Sequence, residues 1–349
     1  MGKLKVFEAF AGIGAQRMAL RNIGVDFEVV GISEIDKFAT KSYEAIHGEC
    51  PNYGDISKIN PKNLPNIDLF TYSFPCQDLS VAGKQEGIVK GKTRSGLLYE
   101  CEKIIEAKKP KYLLLENVKN LIGKRHKQDF DNWLKYLENL GYTNYYKVLN
   151  AKDYGVPQNR ERVFCISILG KHTPYTFPQP IKLNIAIKDV LEDTVDEKYY
   201  MNKPFKLVNK GNVKAEFTNR NFNQAKVIYG TDSYFKCLTA KDRGIDNILI
   251  KAHLEGINFK QTSQILSSEG ISATLNTMQG GHREPKILEE HRVRKLTPLE
   301  CWRLMGFSDE DFYKAKNAGI SNSQLYKQAG NSIVVPVLES IFKELFING

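Results

Sequence analysis

The chain reads as an α/β protein on a doubly wound, mostly parallel sheet, with a smaller, mainly β or irregular domain placed late in the sequence. Three observations predict it. Over the first 170 residues short apolar runs alternate with amphipathic stretches, the pattern of βαβ units. After Gly170 the prolines Pro174, Pro178 and Pro180 mark a break, and the stretch beyond them holds short β-like pieces among Gly, Asn and Lys. From Thr297 the pattern turns helical. At 349 residues the chain can bury a core sufficient for two domains.

Strands are expected at Leu4–Phe10, Phe27–Ile35, Ile67–Phe74, Tyr112–Val118, Tyr145–Leu149 and Arg162–Leu169. Helices fill the gaps at Ala15–Ile23, Lys37–His47, Gly96–Ala107 and Lys127–Leu140, so that both faces of the sheet are covered. Thr297-Pro298-Leu299-Glu300 is a helix start, with a capping hydroxyl, a proline at the first position and a glutamate three residues on. Gln328-Ala329-Gly330-Asn331-Ser332 is expected as a tight polar turn, and a last strand and helix run from Ile333 to Phe346. These changes of texture divide the chain at 1–178, 179–290, 291–328 and 329–349.

Fifty basic against forty acidic side chains give a net charge of +10, which favours polyanionic partners. Between Met201 and Lys260 eleven Lys or Arg stand against five Asp or Glu, so this stretch carries six of those ten charges. A solvated basic surface is the plain alternative. No apolar run approaches the roughly 20 residues of a membrane span, so a cytoplasmic protein is expected. Six cysteines, at 50, 76, 101, 165, 237 and 301, form no CxxC pair and no ligand spacing with histidine, so neither a metal site nor a disulfide framework is expected. Five of them read as packing residues.

Cys76 is the exception. It ends the apolar run that leads into Ser73-Phe74-Pro75, where a parallel sheet presents reacting groups, and a thiol there is a candidate nucleophile if its pKa is lowered. In isolation a structural cysteine would be the better reading. Near the N-terminus Phe10-Ala11-Gly12-Ile13-Gly14 follows a strand and opens a helix, with Gly12 and Gly14 where backbone must approach a ligand. Arg17 occupies the third glycine position of a dinucleotide fingerprint, so a nucleoside cofactor without pyrophosphate fits better. Glu34 closes the second strand, where it can accept ribose hydroxyls, and Asp55 lies in a turn that could reach an adenine amine; S-adenosylmethionine has both groups. Tyr112–Val118 delivers Glu116 and Asn117 at the end of an apolar strand, where desolvation would raise the glutamate's pKa and let it donate a proton near neutral pH. Arg160 and Arg162 alternate onto one face and could grip a phosphate, a base carbonyl or Glu116. The turn at Asn331 and Ser332 suits the closing of a cofactor pocket.

Phe10-Ala11-Gly12-Ile13-Gly14, Pro75-Cys76-Gln77, Glu116-Asn117-Val118, Gln158-Asn159-Arg160-Glu161-Arg162 and Gln328-Ala329-Gly330-Asn331-Ser332, in this order, resemble the DNA (cytosine-5) methyltransferase family of bacterial and phage modification enzymes. The resemblance covers most of the chain and includes Arg294–Phe307, which looks like the family's element near the domain hinge. It implies a Rossmann-like, S-adenosylmethionine-dependent catalytic and cofactor-binding domain at 1–178, a target recognition domain at 179–290, a hinge and helical segment at 291–328, and a return to the catalytic domain at 329–349. Phe10, Gly12, Ile13, Gly14, Glu34, Asp55, Ile56, Pro75, Leu97, Asn331 and Ser332 would hold S-adenosylmethionine and its product S-adenosylhomocysteine.

The resemblance also implies roles. Cys76 would attack carbon 6 of a flipped-out cytosine, Glu116 would serve ring N3, Arg162 would hold the base carbonyl, and Arg160 would support Glu116 or the DNA backbone. Gln77, Ser80, Arg94 and Thr274 would approach DNA, with Arg94 in a glycine-rich lid between Gln77 and Ser95 and Leu238-Thr239 a weaker competitor for the place of Thr274-Leu275. Arg243 and Arg283 are candidate major-groove readers. Double-stranded DNA is the implied partner, with or without a restriction endonuclease of the same specificity, and a monomer is expected because nothing in the sequence suggests an interface beyond DNA. A tRNA cytosine-5 methyltransferase of the same family is the nearest alternative; against it stand the basic insertion and the lack of a Cys-Phe-Thr motif. Methylation of exocyclic amines would call for an Asp/Asn-Pro-Pro-Tyr motif where Ser73-Phe74-Pro75-Cys76 stands. A non-catalytic DNA-binding protein on the same scaffold is the alternative from another class.

Overall fold

A computed structural model describes residues 2–75, 94–201, 205–207, 216–217, 250–254, 263–278, 283–289 and 292–348; Arg94, Ser95 and residues 205–253 are described by backbone alone. The strands are β1 (Leu4–Ala9), β2 (Phe27–Ser33), β3 (Leu69–Tyr72), β4 (Tyr112–Val118), β5 (Tyr142–Asn150), β6 (Gln158–Asn159), β7 (Glu161–Leu169), β8 (Phe205–Leu207), β9 (Glu216–Phe217), β10 (Ile250–Leu254), β11 (Gln264–Leu266), β12 (Ser272–Ala273), β13 (Lys286–Glu289) and β14 (Arg292–Lys295). The helices are α1 (Ala15–Asn22), α2 (Lys37–His47), α3 (Leu98–Lys108), α4 (Lys127–Asn139), α5 (Pro298–Arg303), α6 (Asp309–Asn317), α7 (Asn322–Asn331) and α8 (Val335–Phe346).

The main sheet has the order β2-β1-β3-β4-β7-β5. Within it β7 alone runs against its neighbours, pairing antiparallel with both β4 and β5. Alternation sends side chains to two cores. Val6, Leu69, Leu114, Phe164 and Ile166 meet Met18 and Ala19 of α1 and Val337, Leu338 and Ile341 of α8. Phe7, Phe70, Leu113, Leu115 and Val163 meet Ile104 and Ile105 of α3 and Phe130, Trp133 and Leu137 of α4. The sheet is therefore doubly wound, as expected. Each such side chain contributes about 1.5–3 kcal/mol relative to exposure, which fixes the strand ends that carry the site.

A second sheet, β14-β13-β11-β10-β8-β9, gathers the late β pieces. A two-residue parallel ladder, Ser272 with Gln158 and Ala273 with Asn159, stitches that region to the entrance of β7. Beside it, Thr297 and Glu300 form the expected capping box of α5, and the buried Arg294 guanidinium lies 2.9 Å from both Glu300 oxygens.

The C-terminus corrects one expectation. No strand begins at Ile333: Gln328 to Asn331 is the last turn of α7, and Ile333 and Val334 lead directly into α8. Pro336 lies in the first turn of that helix, where its missing N–H costs nothing and its fixed φ favours helix. The apolar run is thus too short to pair before helix begins.

Candidate active site

The carboxyl ends of β3 and β4 build the site's centre. Tyr72 ends β3 opposite Leu115, so Ser73 leaves the sheet beside Glu116, which β4 carries on against β7. Asn117 Nδ2 donates to the Phe74 carbonyl at 3.0 Å and pins the β3 exit just ahead of Pro75. Glu116 is 8% exposed, and Arg162 Nε lies 3.3 Å from its Oε1. Register explains the contact: Val118 stands opposite Arg162, so Glu116 and Arg162 are diagonal neighbours on one face. Burial pushes the Glu116 carboxyl above the usual carboxylate range; the charges of Arg162 and then Arg160, and a hydrogen bond from Ser73, pull the other way without cancelling it. A carboxyl so placed can hold a proton and give it up beside the cation that stabilises its anion.

Arg160 departs from expectation. It is 4% exposed; Nη1 donates to the Leu275 carbonyl at 2.9 Å, and Nη2 to those of Gly330 and Ser332 at 3.0 and 2.8 Å. Its charge acts on Glu116, but a guanidinium committed to three buried carbonyls does not reach a DNA backbone, so that part of the expectation is corrected. The reason is the turn between β6 and β7, which faces Arg160 into the chain while Arg162, on the strand, faces the cleft.

That cleft, of about 240 Å³, is lined by Val118, Lys119, Asn120, Asn159, Glu161, Arg162 and Thr274. The structure thereby brings Thr274 to Arg162; Thr274 Oγ1 donates to the Asn159 carbonyl at 2.7 Å. Arg283 is exposed, away from this lining. Cys76, Gln77, Ser80, Leu238, Thr239 and Arg243 lie outside the described residues, as does the glycine-rich segment before Arg94, whose backbone opens a 3₁₀ turn running to Leu97.

The cofactor candidates surround the loop between β1 and α1. Phe10, Gly12 and Gly14 all have positive φ, 57°, 57° and 77°. For an aromatic residue this is an uncommon, strained conformation of the kind held at ligand sites. A Cβ on Gly12 would meet nothing within 4 Å, so its backbone faces open space. Glu34 Oε2 accepts the Gly12 N–H at 2.9 Å and its Oε1 that of Asp36 at 2.8 Å, which sets the carboxylate at the rim of the loop with lone pairs to spare. Asp55 accepts from the Ser57 hydroxyl at 2.7 Å and backbone at 3.0 Å, which hold its carboxyl below the usual range. Ile56 is 4% exposed and belongs to the core with Phe7 and Leu64, so only its backbone can serve a ligand. Pro75 and Leu97 are half-buried. Gln328 bonds the Phe38 carbonyl and Ser42, and Lys327 bonds Asp36, so α7 docks on the start of α2 and brings Asn331, exposed, and Ser332, buried, toward this side. Positive-φ backbone, a rim carboxylate and a second carboxylate beyond it fit a nucleoside.

Two features were missed from the sequence. Ile35, directly after Glu34, is 78% exposed, an apolar surface beside the rim carboxylate; an isoleucine following a strand-end acid was the available signal. Beneath the loop lies a buried polar network. Glu8 accepts from the Tyr43 hydroxyl at 2.5 Å and the Arg17 N–H at 2.9 Å; Arg17 Nη2 donates to the His47 carbonyl at 2.8 Å, and His47 Nε2 donates to the Ile13 carbonyl at 3.1 Å. Glu8 interrupting an apolar strand was the visible sign.

A family model described as C-5 cytosine-specific DNA methylase matches residues 4–347. The chain belongs to that family. Among its relatives, this family member is 42% identical to the type II methyltransferase M2.ScrFI of Lactococcus lactis subsp. cremoris, over 98% of this chain and 99% of the relative. It is 36% identical to the orphan methyltransferase M.SPBetaI of Bacillus phage SPbeta, over 99% and 98%. Among solved structures, the S. pombe Dnmt2 methyltransferase shares the fold at a TM-score of 0.66, 18% identity and coverage of 98% and 97%.

Proposed function

We propose that this cytosine-5 DNA methylase acts through a covalent adduct between Cys76 and a flipped-out cytosine in a short word of double-stranded DNA. The observation that carries the reading is the Glu116–Arg162 pair at the β4 end, set beside the β3 exit that leads to Cys76. The Cys76 thiolate forms a bond to ring carbon 6, and the ring's π electrons shift toward N3 and carbon 5. Glu116 gives its proton to N3 as charge builds there, and Arg162 holds both that carboxylate and the base O2. S-adenosylmethionine, when bound, supplies an electrophilic methyl for carbon 5 and leaves as S-adenosylhomocysteine. Loss of the carbon 5 proton to water expels Cys76 as thiolate, and the N3 proton returns to the Glu116 carboxylate, leaving neutral 5-methylcytosine. Unstacking the base costs a few kcal/mol; Thr274 is suited to supporting the flipped nucleotide's backbone, and Gln77, Ser80 and Arg94 to approaching the DNA.

Phe10, Gly12, Ile13 and Gly14 would cradle the cofactor's methionine portion, Glu34 its ribose and Asp55 its adenine amine, with Ile35 against the adenine face. Arg243 and Arg283 would read bases from a recognition domain at 179–290. The protein would act as a cytoplasmic monomer, with or without a restriction endonuclease of the same specificity; among the described residues no helix is long and apolar enough to cross a membrane.

Bisulfite sequencing of a plasmid from a methylation-free host expressing the chain tests this. Protected cytosines confined to one word, and lost in Cys76→Ser, are expected. Equal protection with Cys76→Ser would refute the adduct, and full conversion with the unaltered chain would refute DNA methylation by this chain in that host and move the assay to tRNA.

A further inference from the structure

Arg160 acts on Glu116 through its charge, and its guanidinium is also among the most heavily used in the described structure. Three of its side-chain bonds end on two separate pieces of chain: the carbonyl of Leu275, immediately after Thr274, and the carbonyls of Gly330 and Ser332, which bracket Asn331. The first piece belongs to the proposed DNA grip, the second to the proposed cofactor pocket. Both are held elsewhere at the same junction. Gln158 takes the Leu275 N–H on its Oε1 at 3.2 Å and donates from Nε2 to the Leu304 carbonyl at 2.7 Å. Thr274 bonds the Asn159 carbonyl, and a Cβ on Gly330 would lie 2.0 Å from the Asn276 carbonyl oxygen, so the two pieces touch backbone to backbone.

We infer that Arg160 is a positioning residue that couples cofactor binding to DNA binding. This rests on the functional reading above. A planar guanidinium offers its N–H groups at fixed angles, so three carbonyls on one fork cannot shift independently. When a ligand orders Asn331 and Ser332, the carbonyls on either side of Asn331 settle, the fork settles with them, and Leu275 carries Thr274 into its DNA-gripping position. Linkage requires the reverse effect of equal size. The strand-to-strand ladder at Ser272 and Ala273 provides the fixed edge against which the movement is registered.

The test measures affinity for a fluorescent duplex carrying the word that bisulfite protection reports, with and without saturating S-adenosylhomocysteine, in the full chain and in Arg160→Lys. The ammonium keeps the charge but loses the fork. The unaltered chain should bind the duplex at least about fivefold more tightly with S-adenosylhomocysteine; in Arg160→Lys that factor should fall below twofold while each ligand alone binds within threefold of normal. The same factor in Arg160→Lys as in the unaltered chain, or no factor in the unaltered chain, overturns the inference. Absence of any binding by the unaltered chain instead defeats the functional reading. If Arg160→Lys does not fold, amide hydrogen exchange of the unaltered chain decides: S-adenosylhomocysteine alone should protect residues 271–278, and unchanged exchange there overturns the coupling.

Discussion

The network beneath the cofactor loop makes the stability of this protein depend on pH in a way that one substitution exposes. Glu8 is fully buried, and desolvation raises its carboxyl from 4.5 to about 7 despite its hydrogen bond from Tyr43 and the charge of Arg17. From pH 4.5 to 7 the folded chain therefore keeps a proton that the unfolded chain has released, and stability falls as pH rises, by about 3 kcal/mol over the window. His47 behaves oppositely. Burial, then the charge of Arg17, lower it from 6.5 to about 3, so acidification protonates the unfolded chain first and stability falls as pH drops below 6.5. Between pH 4.5 and 6.5 the two slopes offset each other. Glu8→Gln removes one of them. The amide can accept the Arg17 N–H and donate to the Tyr43 oxygen, so the packing persists while the titration disappears. Urea unfolding of both proteins at pH 4.5, 5.5, 6.5 and 7.5 would track the difference in their free energies, in which all other groups cancel. The stability of the unaltered chain relative to Glu8→Gln should rise by about 3 kcal/mol from pH 7 to 4.5. A difference constant across that range would refute a shared proton at Glu8.

Three further outcomes are expected. Glu116→Gln should lower methyl transfer by about 100-fold or more, with S-adenosylhomocysteine binding by calorimetry unchanged; normal turnover would remove Glu116 from the chemistry. Gly14→Ala places a methyl 2.5 Å from His47 Nε2 at a φ of 77°, and thermal melting should show a loss of about 2 kcal/mol or more. Glu300→Ala leaves the fully buried Arg294 with Glu289 as its one carboxylate partner among the described residues, at a cost of about 3–5 kcal/mol in urea unfolding.

Much of the architecture is written in local pattern. Period-2 and period-3.6 apolar spacing and the capping signal at Thr297 depend on near neighbours, and all six strands of the main sheet and four helices of its flanks lie close to where that spacing puts them. The run Ile333-Val334-Val335 misled because three β-branched residues carry the same signal before a strand or a helix; Pro336, one residue on, decides for helix. Within the site, Glu116 was legible because a carboxylate ending an apolar strand is costly to leave unused, and Gly12 and Gly14 because the loop requires left-handed backbone.

What the sequence could not decide was how Arg160 and Arg162 divide their work. Two residues apart in a chain of alternating faces, they are equivalent in pattern, and only the assembled fold separates them. Strand β7 turns Arg162 toward Glu116, while segments more than a hundred residues away bring Leu275, Gly330 and Ser332 to Arg160. The same holds for Glu8, whose partner Tyr43 comes from α2. Residue type and spacing determine which chemistry the chain can offer. Its allocation to particular side chains depends on burial and on partners distant in sequence, which exist only once the tertiary structure has formed.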